Sequence, residues 1–326
     1  MTQRKRLGVG LTRIVSRTPS GSESVDALFR RIGAPASRQR LFTRFYGLER
    51  SPILGPDETF EDLLVSAAST ALAHRGRSDT TLVLYGHTLT TQPMDYDPGF
   101  PDRIRGALSL PDVPFHGISQ IGCTSVLRSI DLAARFLDSE KGREGSVLVL
   151  GGDVASVSDA MRVLPGVTVA GDSAVAFHVR SGSARYTRVG HARSSDTRFY
   201  RNLGLNEEEA REFGGVCAEK TIEVCAAALA DAGLKYSDID WIMPHRNNAQ
   251  FWRTFCSRTG YPRERVYLEQ LAELGHCYGN DSLMALSHAD ELGRLSPSQR
   301  CLLVSIGQGA YFEACVVEVG DADEDS

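Results

Sequence analysis

The sequence predicts an α/β protein built from a mostly parallel sheet that helices cover on both faces. In the first half of the 326-residue chain, apolar runs typical of buried strands alternate with stretches of helical periodicity, and the second half repeats this plan. Hydrophobic residues make up 42% of the chain and charged residues 24%, which is typical of a globular protein with a large core.

The elements of the first half follow from local patterns. Its strands are short runs rich in valine and leucine, and its helices have apolar positions three and four residues apart. Three prolines between residues 90 and 103 indicate an irregular loop. In order, we expect a strand at 6–15, a helix at 58–74, a strand at 80–89, that loop, a strand, turn and helix within 113–137, and strands at 145–156 and 171–182.

The second half shows the same patterns with clearer ends. Pro244 marks where a buried strand leaves the core, Gly260 is suited to ending a helix, and glycines suit the turn of a closing hairpin. In order, we expect a strand at 185–194, a helix at 207–232, a strand at 238–248, a helix at 249–260, a short strand at 266–270, a helix at 282–295 and a hairpin at 300–319.

Two segments of the chain, 59–88 and 218–247, have similar layouts. Each contains a helix, a glycine stop, a polar link and a buried strand that ends in a histidine, His87 or His245. Together with the similar halves, this repeat suggests a duplicated αβαβα arrangement of five layers with a pseudo-twofold axis. The predicted halves are residues 1–180, carrying a nucleophilic cysteine, and residues 181–326, carrying histidine and asparagine or aspartate.

Charge and cysteine usage narrow the range of partners and compartments. The formal charge of −5 provides no general attraction to nucleic acid or to an anionic membrane, and no apolar run approaches the roughly 20 residues that span a bilayer. Arg13 interrupts the apolar N-terminal run and no cleavage site follows, so we expect a strand there rather than a signal peptide. The seven cysteines include no CxxC pair, which favours reduced thiols in the cytoplasm and argues against a disulfide frame or a structural zinc site; we expect no metal.

Cys123 is the strongest candidate nucleophile. It lies at the start of an amphipathic helix, directly after Gly122, which permits a sharp bend of the backbone. Free backbone N–H groups and the positive end of a helix dipole favour thiolate over thiol, so we expect this cysteine to be nucleophilic near neutral pH. The alternative is that Cys123 is a small, buried apolar residue.

Three further segments place polar groups where a ligand could bind. His245 follows a proline at the carboxyl end of a buried strand, the end at which ligand sites gather in parallel sheets. His276, Asn280 and Asp281 share a glycine-flanked turn before a helix, although taken alone this turn is best explained as an ordinary helix N-cap. Gln308 lies in the turn of the closing hairpin, where its N–H could stabilise an oxyanion. The alternatives for His245 and Gln308 are a capping residue and a plain tight turn.

The order and setting of these motifs resemble those of a known family. The cysteine after an IG turn is followed by VLVLGGD, GDSAVAF, PHRNN, GHCYGND and GQG, an order similar to that of the β-ketoacyl-acyl carrier protein synthase III group of thiolase-fold condensing enzymes. The resemblance covers about residues 6–319. It implies a thiolase-like duplicated αβαβα fold and, as is usual in the family, a homodimer.

The resemblance implies an acyltransferase that uses no cofactor and takes acyl-coenzyme A or acyl-carrier-protein thioesters as substrates. Cys123 would accept the acyl group, and His245 and Asn280 would donate hydrogen bonds to the thioester carbonyl of a malonyl unit. The enolate formed by decarboxylation would then attack the acyl-cysteine, while the backbone N–H groups of Cys123 and Gln308 form the oxyanion hole. The implied setting is specialised polyketide-like or fatty-acid-like metabolism.

Departures from the family pattern leave two alternatives open. Two residues separate His276 from the next glycine, and Asp281 directly follows Asn280. If Asp281 faces His245, the carboxylate would orient the imidazole as a general base, and the protein would transfer acyl groups to an alcohol or an amine. The second alternative is a non-catalytic partner subunit that binds an acyl chain.

Arginines cluster in residues 22–50, which contain no tryptophan of the kind that in this family holds the adenine of coenzyme A. The arginines would suit the phosphate of phosphopantetheine or an acidic carrier protein, and the alternative is a solvated basic face. The candidate contacts are Arg30, Arg31, Arg38, Arg40 and Arg44.

Overall fold

The computed structural model describes residues 8–75, 79–201 and 204–321, so residues 6–7 of the first predicted strand lie outside the described part. The strands are β1 (Val9–Leu11), β2 (Val15–Arg17), β3 (Gly21–Ser24), β4 (Arg50–Ile53), β5 (Thr80–Gly86), β6 (Phe115–Ile118), β7 (Ser146–Asp153), β8 (Val163–Leu164), β9 (Thr168–Val169), β10 (Ser173–Ser181), β11 (Tyr186–Ser195), β12 (Trp241–Met243), β13 (Arg300–Gly307) and β14 (Tyr311–Val319). The helices are α1 (Val25–Arg31), α2 (Ala36–Arg40), α3 (Phe60–Arg75), α4 (Pro93–Tyr96), α5 (Phe100–Ala107), α6 (Ser125–Leu137), α7 (Asp159–Arg162), α8 (Glu207–Asp231), α9 (Ala249–Thr259), α10 (Leu271–Leu274) and α11 (Asp281–Glu291). None of the described helices is both long enough and apolar enough to cross a membrane.

Ten strands are joined by hydrogen bonds into one mixed sheet. Its order is β12, β13, β14, β11, β1, β10, β7, β5, β6, and β2 pairs with β10. The pairs β5–β6, β5–β7 and β12–β13 are parallel, and the others are antiparallel. The prediction of a mostly parallel sheet is therefore wrong. A parallel pair needs a crossover of about a dozen residues or more, whereas β13 and β14 are joined only by residues 308–310, and β1 lies antiparallel between β10 and β11.

Three apolar clusters define the order of the layers. In the middle, side chains of α6 and α11, such as Ile130 and Leu286, pack together with side chains of β7, β10 and β13. On one outer side α3 and α5 cover β5, β7 and β10, and on the other α8 and α9 cover β13 and β14. This succession of helices, strands, helices, strands and helices confirms the predicted five-layer αβαβα fold. The division of the chain at residue 180 stays a prediction.

Two local predictions differ from the structure. Residues 90–103 do not form a purely irregular loop, because α4 and α5 begin there with Pro93 and Pro101 in their first turns. Proline is favoured at that position, since its missing N–H would have no partner inside the helix. The strand expected at 266–270 is reduced to a single bridge between Val266 and Ile242.

Candidate active site

Cys123 lies in a tight 3-10 turn, Gly122–Thr124, that leads directly into α6. Gly122 has a φ of 58°, which glycine adopts without strain. A Cβ atom on Gly122 would lie 2.8 Å from the Cα of Gly307, so the turn around Cys123 is in close contact with the closing hairpin. The Ser305 hydroxyl donates to the carbonyl of Cys123 at 2.6 Å, which ties the same two segments together.

The thiol of Cys123 is buried, with only 6% of the residue exposed. Burial raises the pKa of this thiol above its usual value, and the nearby Asp153 carboxyl raises it further. This direction runs against the expectation of a thiolate stabilised by the helix dipole, because the loss of hydration disfavours the charged form. A thiol in this state needs a base to remove its proton.

His276 is positioned to be that base. Its Nε2 lies 3.7 Å from the Sγ of Cys123, and its Nδ1 lies 2.6 Å from an Oδ2 of Asp281. Because Asp281 is a carboxylate, we assign the ring proton to Nδ1, which donates to Asp281 and leaves the lone pair of Nε2 facing the sulfur. Cys123, His276 and Asp281 thus lie in the order that a nucleophile, a base and an orienting carboxylate would need.

Asp281 is held as an anion by its surroundings. Burial alone would raise its pKa, but His276 and the Arg246 guanidinium outweigh burial and hold the pKa well below its usual range. The carboxylate accepts hydrogen bonds from the Arg246 backbone N–H at 2.7 Å, from Arg246 Nε at 3.0 Å and from the Cys277 backbone N–H at 2.7 Å. With this many donors the carboxylate has a single orientation, and it fixes the imidazole of His276.

The backbone around His276 is fixed by contacts with a distant part of the chain. The His276 N–H donates to the Val169 carbonyl at 2.9 Å, and the Gly171 N–H donates to the His276 carbonyl at 2.8 Å. Gly275 has a φ of 57°, and a Cβ atom there would lie 2.4 Å from the Val169 carbonyl oxygen. Only glycine fits this approach, so the turn before α11 depends on Gly275.

His245 lies beside this group, after the end of β12. Its ring centroid is 4.6 Å from that of His276, and its Nδ1 is 3.7 Å from Asp281 Oδ2. Burial, together with the neighbouring His276, lowers the pKa of His245 to about 3, so the ring is neutral at neutral pH. Within the described residues its Nδ1 has no hydrogen-bond partner. Asp281 is therefore hydrogen-bonded to His276, and not to His245 as the alternative drawn from the sequence supposed.

The side chain of Asn280 makes hydrogen bonds other than the one that the resemblance implied. Its Nδ2 donates to the Ser173 hydroxyl at 2.9 Å and approaches the Gly151 carbonyl at 3.4 Å, which places its amide against β7 and β10. Of the two neighbours that the sequence offered, Asp281 is the one that contacts His276, the histidine beside the Cys123 sulfur. These contacts do not support the assignment of Asn280 as a donor to the reacting thioester, which stays a prediction.

Replacing Asn280 by alanine is expected to change kcat by less than about tenfold, because the loss of a true oxyanion donor costs about 10²- to 10³-fold. We expect the free energy of unfolding to fall by about 1–3 kcal/mol, since Ser173 is left buried without its donor. Steady-state rates and denaturant unfolding measure the two effects. Ser173→Ala removes the same hydrogen bond and is the matched control. A hundredfold loss of kcat in Asn280→Ala alone would contradict the geometry.

The backbone amides of Cys123 and Gln308 lie where the turn around Gly122 approaches the turn after Gly307. A Cβ atom on Gly307 would lie 3.2 Å from the Cys123 nitrogen, and one on Gly122 would lie 3.1 Å from the Gln308 nitrogen. The amides of Cys123 and Gln308 therefore lie where the two turns touch. Their use as an oxyanion hole stays a prediction.

The predicted arginine contacts lie on α1, α2 and a π-helical turn at Leu41–Phe45. Arg31 is engaged by Glu23 and Asp159. The other four are exposed, and no ion pair to them is found among the described residues; they are Arg30, Arg38, Arg40 and Arg44. Phe45, which is 58% exposed, lies among them. Their role in binding a carrier or a phosphate stays a prediction.

Sequence reasoning missed two members of the site, His276 as the ring at the sulfur and Arg246 as the partner of Asp281. The signal for His276 was present, because a histidine and an aspartate begin and end one glycine-flanked turn. The interpretation of that turn as an ordinary helix N-cap outweighed this signal. Arg246 follows His245 directly, but its contact with Asp281 depends on how β12 packs against α11 and leaves no local signal.

Comparisons with known proteins agree with the geometry of the fold. Residues 229–319 match the family model for the C-terminal part of 3-oxoacyl-[acyl-carrier-protein] synthase III. The β-ketoacyl-[acyl-carrier-protein] synthase III of Listeria welshimeri is 25% identical over 283 residues, which cover 84% of this chain and 88% of that protein.

Solved structures with the same fold cover almost the entire chain. The acyltransferase ChlB3 superposes with a TM-score of 0.83 at 22% identity, over 98% of this chain and all of that one (100%). The 3-oxoacyl-(acyl carrier protein) synthase III of Pseudomonas aeruginosa PAO1 has a TM-score of 0.80 at 20% identity, over 96% of this chain and 99% of that one. These findings show that the chain has the fold of the thiolase-fold condensing enzymes, and they support the resemblance to the β-ketoacyl-acyl carrier protein synthase III group that the motif order indicated.

Proposed function

We propose that this protein is an acyltransferase that carries the acyl group on Cys123 and passes it to an alcohol or an amine. The observation that carries the proposal is the alignment of three side chains. His276 Nε2 lies 3.7 Å from the Cys123 sulfur, and its Nδ1 lies 2.6 Å from the Asp281 carboxylate. A histidine backed by a carboxylate serves a reaction that removes protons from a nucleophile.

In the first half-reaction, Cys123 takes the acyl group from a thioester. The Cys123 S–H bond breaks as His276 Nε2 accepts the proton, and the sulfur attacks the thioester carbonyl. The negative charge that develops on the carbonyl oxygen would be stabilised by the backbone N–H groups of Cys123 and Gln308. The donor thiolate then leaves and takes the proton from the imidazolium, which restores the neutral ring.

In the second half-reaction, His276 takes a proton from the acceptor. The acceptor oxygen or nitrogen attacks the acyl carbonyl, a new ester or amide bond forms, and the bond from the carbonyl carbon to Cys123 breaks. The leaving sulfur recovers the proton held by His276. Asp281 stabilises the imidazolium in both steps, and the bonds from Arg246 keep that carboxylate ionised.

We propose an acyl-carrier-protein or coenzyme A thioester as the donor; the similar synthase III proteins are named for the acyl carrier protein. Arg30, Arg38, Arg40 and Arg44 are exposed cations that would suit a phosphate or an acidic carrier surface. A homodimer in the cytoplasm and a role in specialised metabolism stay predictions.

A second candidate is the decarboxylative condensation with a malonyl unit that the resemblance implied first. His245 supports it, because a neutral buried imidazole without a partner on Nδ1 is available to donate to an enolate oxygen. Asn280 is not free to be a second donor to that oxygen, since its amide is hydrogen-bonded to Ser173. The condensation therefore has one side-chain donor where the family scheme has two.

One experiment separates these reactions. The protein is incubated with an acyl thioester, and intact mass and peptide mapping are expected to locate one acyl group on Cys123 and none on Cys225, another buried thiol. The acyl-protein is then given a malonyl-carrier protein or a mixture of alcohols and amines. Loss of the acyl group to an alcohol or amine, without carbon dioxide release, supports the proposal. Release of carbon dioxide with a new carbon–carbon bond favours condensation, and the absence of any acyl adduct overturns both reactions in favour of a non-catalytic subunit.

A further inference from the structure

We infer that Cys123, His245 and His276 form a binding site for a zinc ion, and that zinc and the acyl group compete for the same sulfur. Each residue offers one ligand atom, and the three atoms lie within 4.8 Å of one another. All three residues are buried, at 6%, 6% and 1% exposure. They come from three separate parts of the chain, which is why no metal-binding spacing is visible in the sequence.

The spacing of two of the three ligand atoms is close to that around a tetrahedral zinc ion, and the third lies within 4.8 Å of both. Zinc binds thiolate sulfur at about 2.3 Å and imidazole nitrogen at about 2.0–2.1 Å, which puts two such ligands about 3.5 Å apart. The Cys123 sulfur and His276 Nε2 are 3.7 Å apart. These two atoms therefore need to move only slightly to bind one ion, and three protein ligands leave a fourth position for water.

Asp281 accepts the hydrogen bond that a zinc-binding histidine usually donates from its other ring nitrogen. A histidine bound to zinc usually donates its other ring N–H to a carboxylate, which fixes the ring and makes the ligating nitrogen more basic. His276 has this arrangement, with Nδ1 2.6 Å from Asp281. Asp281 is itself fixed by Arg246 and by the Cys277 N–H. The same contacts that orient a catalytic base thus orient a metal ligand.

His245 is the third ligand and is not committed elsewhere. Its Nδ1 is buried without a hydrogen-bond partner among the described residues, a state that is uncommon because it costs free energy. Zinc is favoured over magnesium or calcium, since thiolate and imidazole are poor ligands for those hard cations. The thiolate and the Asp281 carboxylate supply two negative charges close to the ion, which offsets the cost of burying it.

Binding of zinc would block acyl transfer by a balanced exchange. The Cys123 S–H bond breaks, a zinc–sulfur bond forms, and one proton is released to the solvent. A sulfur bound to zinc cannot attack a thioester, and a sulfur bound to an acyl group cannot ligate zinc. The site would therefore protect the thiol from oxidation while no substrate is present, and free zinc would inhibit the protein reversibly.

The test measures metal binding directly and needs no acyl transfer. Reduced, metal-free, full-length protein is titrated with zinc against a chromophoric chelator, and with cobalt, whose bond to a thiolate gives a charge-transfer absorption. We expect one equivalent of each metal. Cys123→Ala should abolish the charge-transfer band and weaken zinc binding by more than a hundredfold. His245→Ala should weaken it at least tenfold, and Asp281→Asn should weaken it about 10- to 100-fold.

Cys225→Ala is the matched control, because Cys225 is another buried thiol and lies in α8, outside the site. It should keep the full affinity for zinc. The inference is overturned if the native protein binds less than one equivalent, or if Cys123→Ala or His245→Ala leaves the affinity unchanged. These results are independent of the proposed acyl transfer, so failure of one proposal does not conceal failure of the other.

Discussion

Replacing His276 by glutamine is expected to lower kcat by about 10³- to 10⁴-fold, which is the contribution of a well-placed general base. Glutamine is close in size and can still donate to Asp281, but it has no basic nitrogen for the sulfur. The loss should be large because burial raises the pKa of Cys123, so little thiolate forms without a base. Quenched-flow mass spectrometry of acyl-Cys123 measures the step directly.

The residual rate of this variant has a defined dependence on pH. Because the pKa of the Cys123 thiol lies above its usual value, the thiolate fraction should rise about tenfold with each pH unit across the assay range. The matched control is His245→Gln, in the neighbouring ring, with an expected loss of no more than about a hundredfold. A greater loss in His245→Gln than in His276→Gln would show that His245 is the base.

Replacing Asp281 by asparagine is expected to affect both catalysis and stability. In a serine protease the equivalent change costs about 10⁴ in kcat, because the histidine takes the wrong tautomer, and we expect a loss of 10²- to 10⁴-fold here. The buried Arg246 also loses its carboxylate, which should lower the free energy of unfolding by about 3–5 kcal/mol. Steady-state kinetics and urea unfolding at neutral pH measure the two effects.

The loss of stability in Asp281→Asn should depend on pH with a known sign. The folded protein holds the pKa of Asp281 well below its usual value. The carboxylate therefore contributes stability fully above the unfolded pKa of about 4, and this contribution is lost as the pH falls through the lowered folded value. The stability difference between the two proteins should be greatest near neutral pH and should shrink below about pH 4.

Asp290→Asn is the matched control for this variant. Asp290 forms a comparable ion pair with Arg185, in which each side chain is 5% exposed and the closest atoms are 2.5 Å apart. We expect the control to lose stability but to keep its kcat. The proposed role of Asp281 would be contradicted if both variants lost stability to a similar degree and both kept full activity.

Local signals in the sequence were sufficient for the elements that carry Cys123. The bend at Gly122, the cysteine after it and the periodicity of the following helix are all short-range features, and the structure has them as the 3-10 turn and α6. The closing hairpin, β13 and β14, could be predicted for the same reason. Element order and layer order followed from the repeated pattern of the two halves.

What could not be predicted depends on contacts between distant residues. The ionisation of Cys123 depends on burial, which outweighs the helix terminus that the sequence displays. The position of the ring that contacts the sulfur depends on two backbone hydrogen bonds, from the His276 N–H to the Val169 carbonyl and from the Gly171 N–H to the His276 carbonyl. Both partners lie more than a hundred residues earlier in the chain. The direction of β1 between β10 and β11 likewise has no local signature.

The two central helices begin on either side of the group formed by Cys123, His276 and Asp281. Helix α6 starts just after Cys123 and α11 starts at Asp281, and both bury their apolar residues in the same middle cluster. Separating the thiol from its base would therefore open that cluster to water. Partial melting that spares the remainder of the molecule is disfavoured, so heat inactivation and global loss of tertiary structure should be one cooperative event.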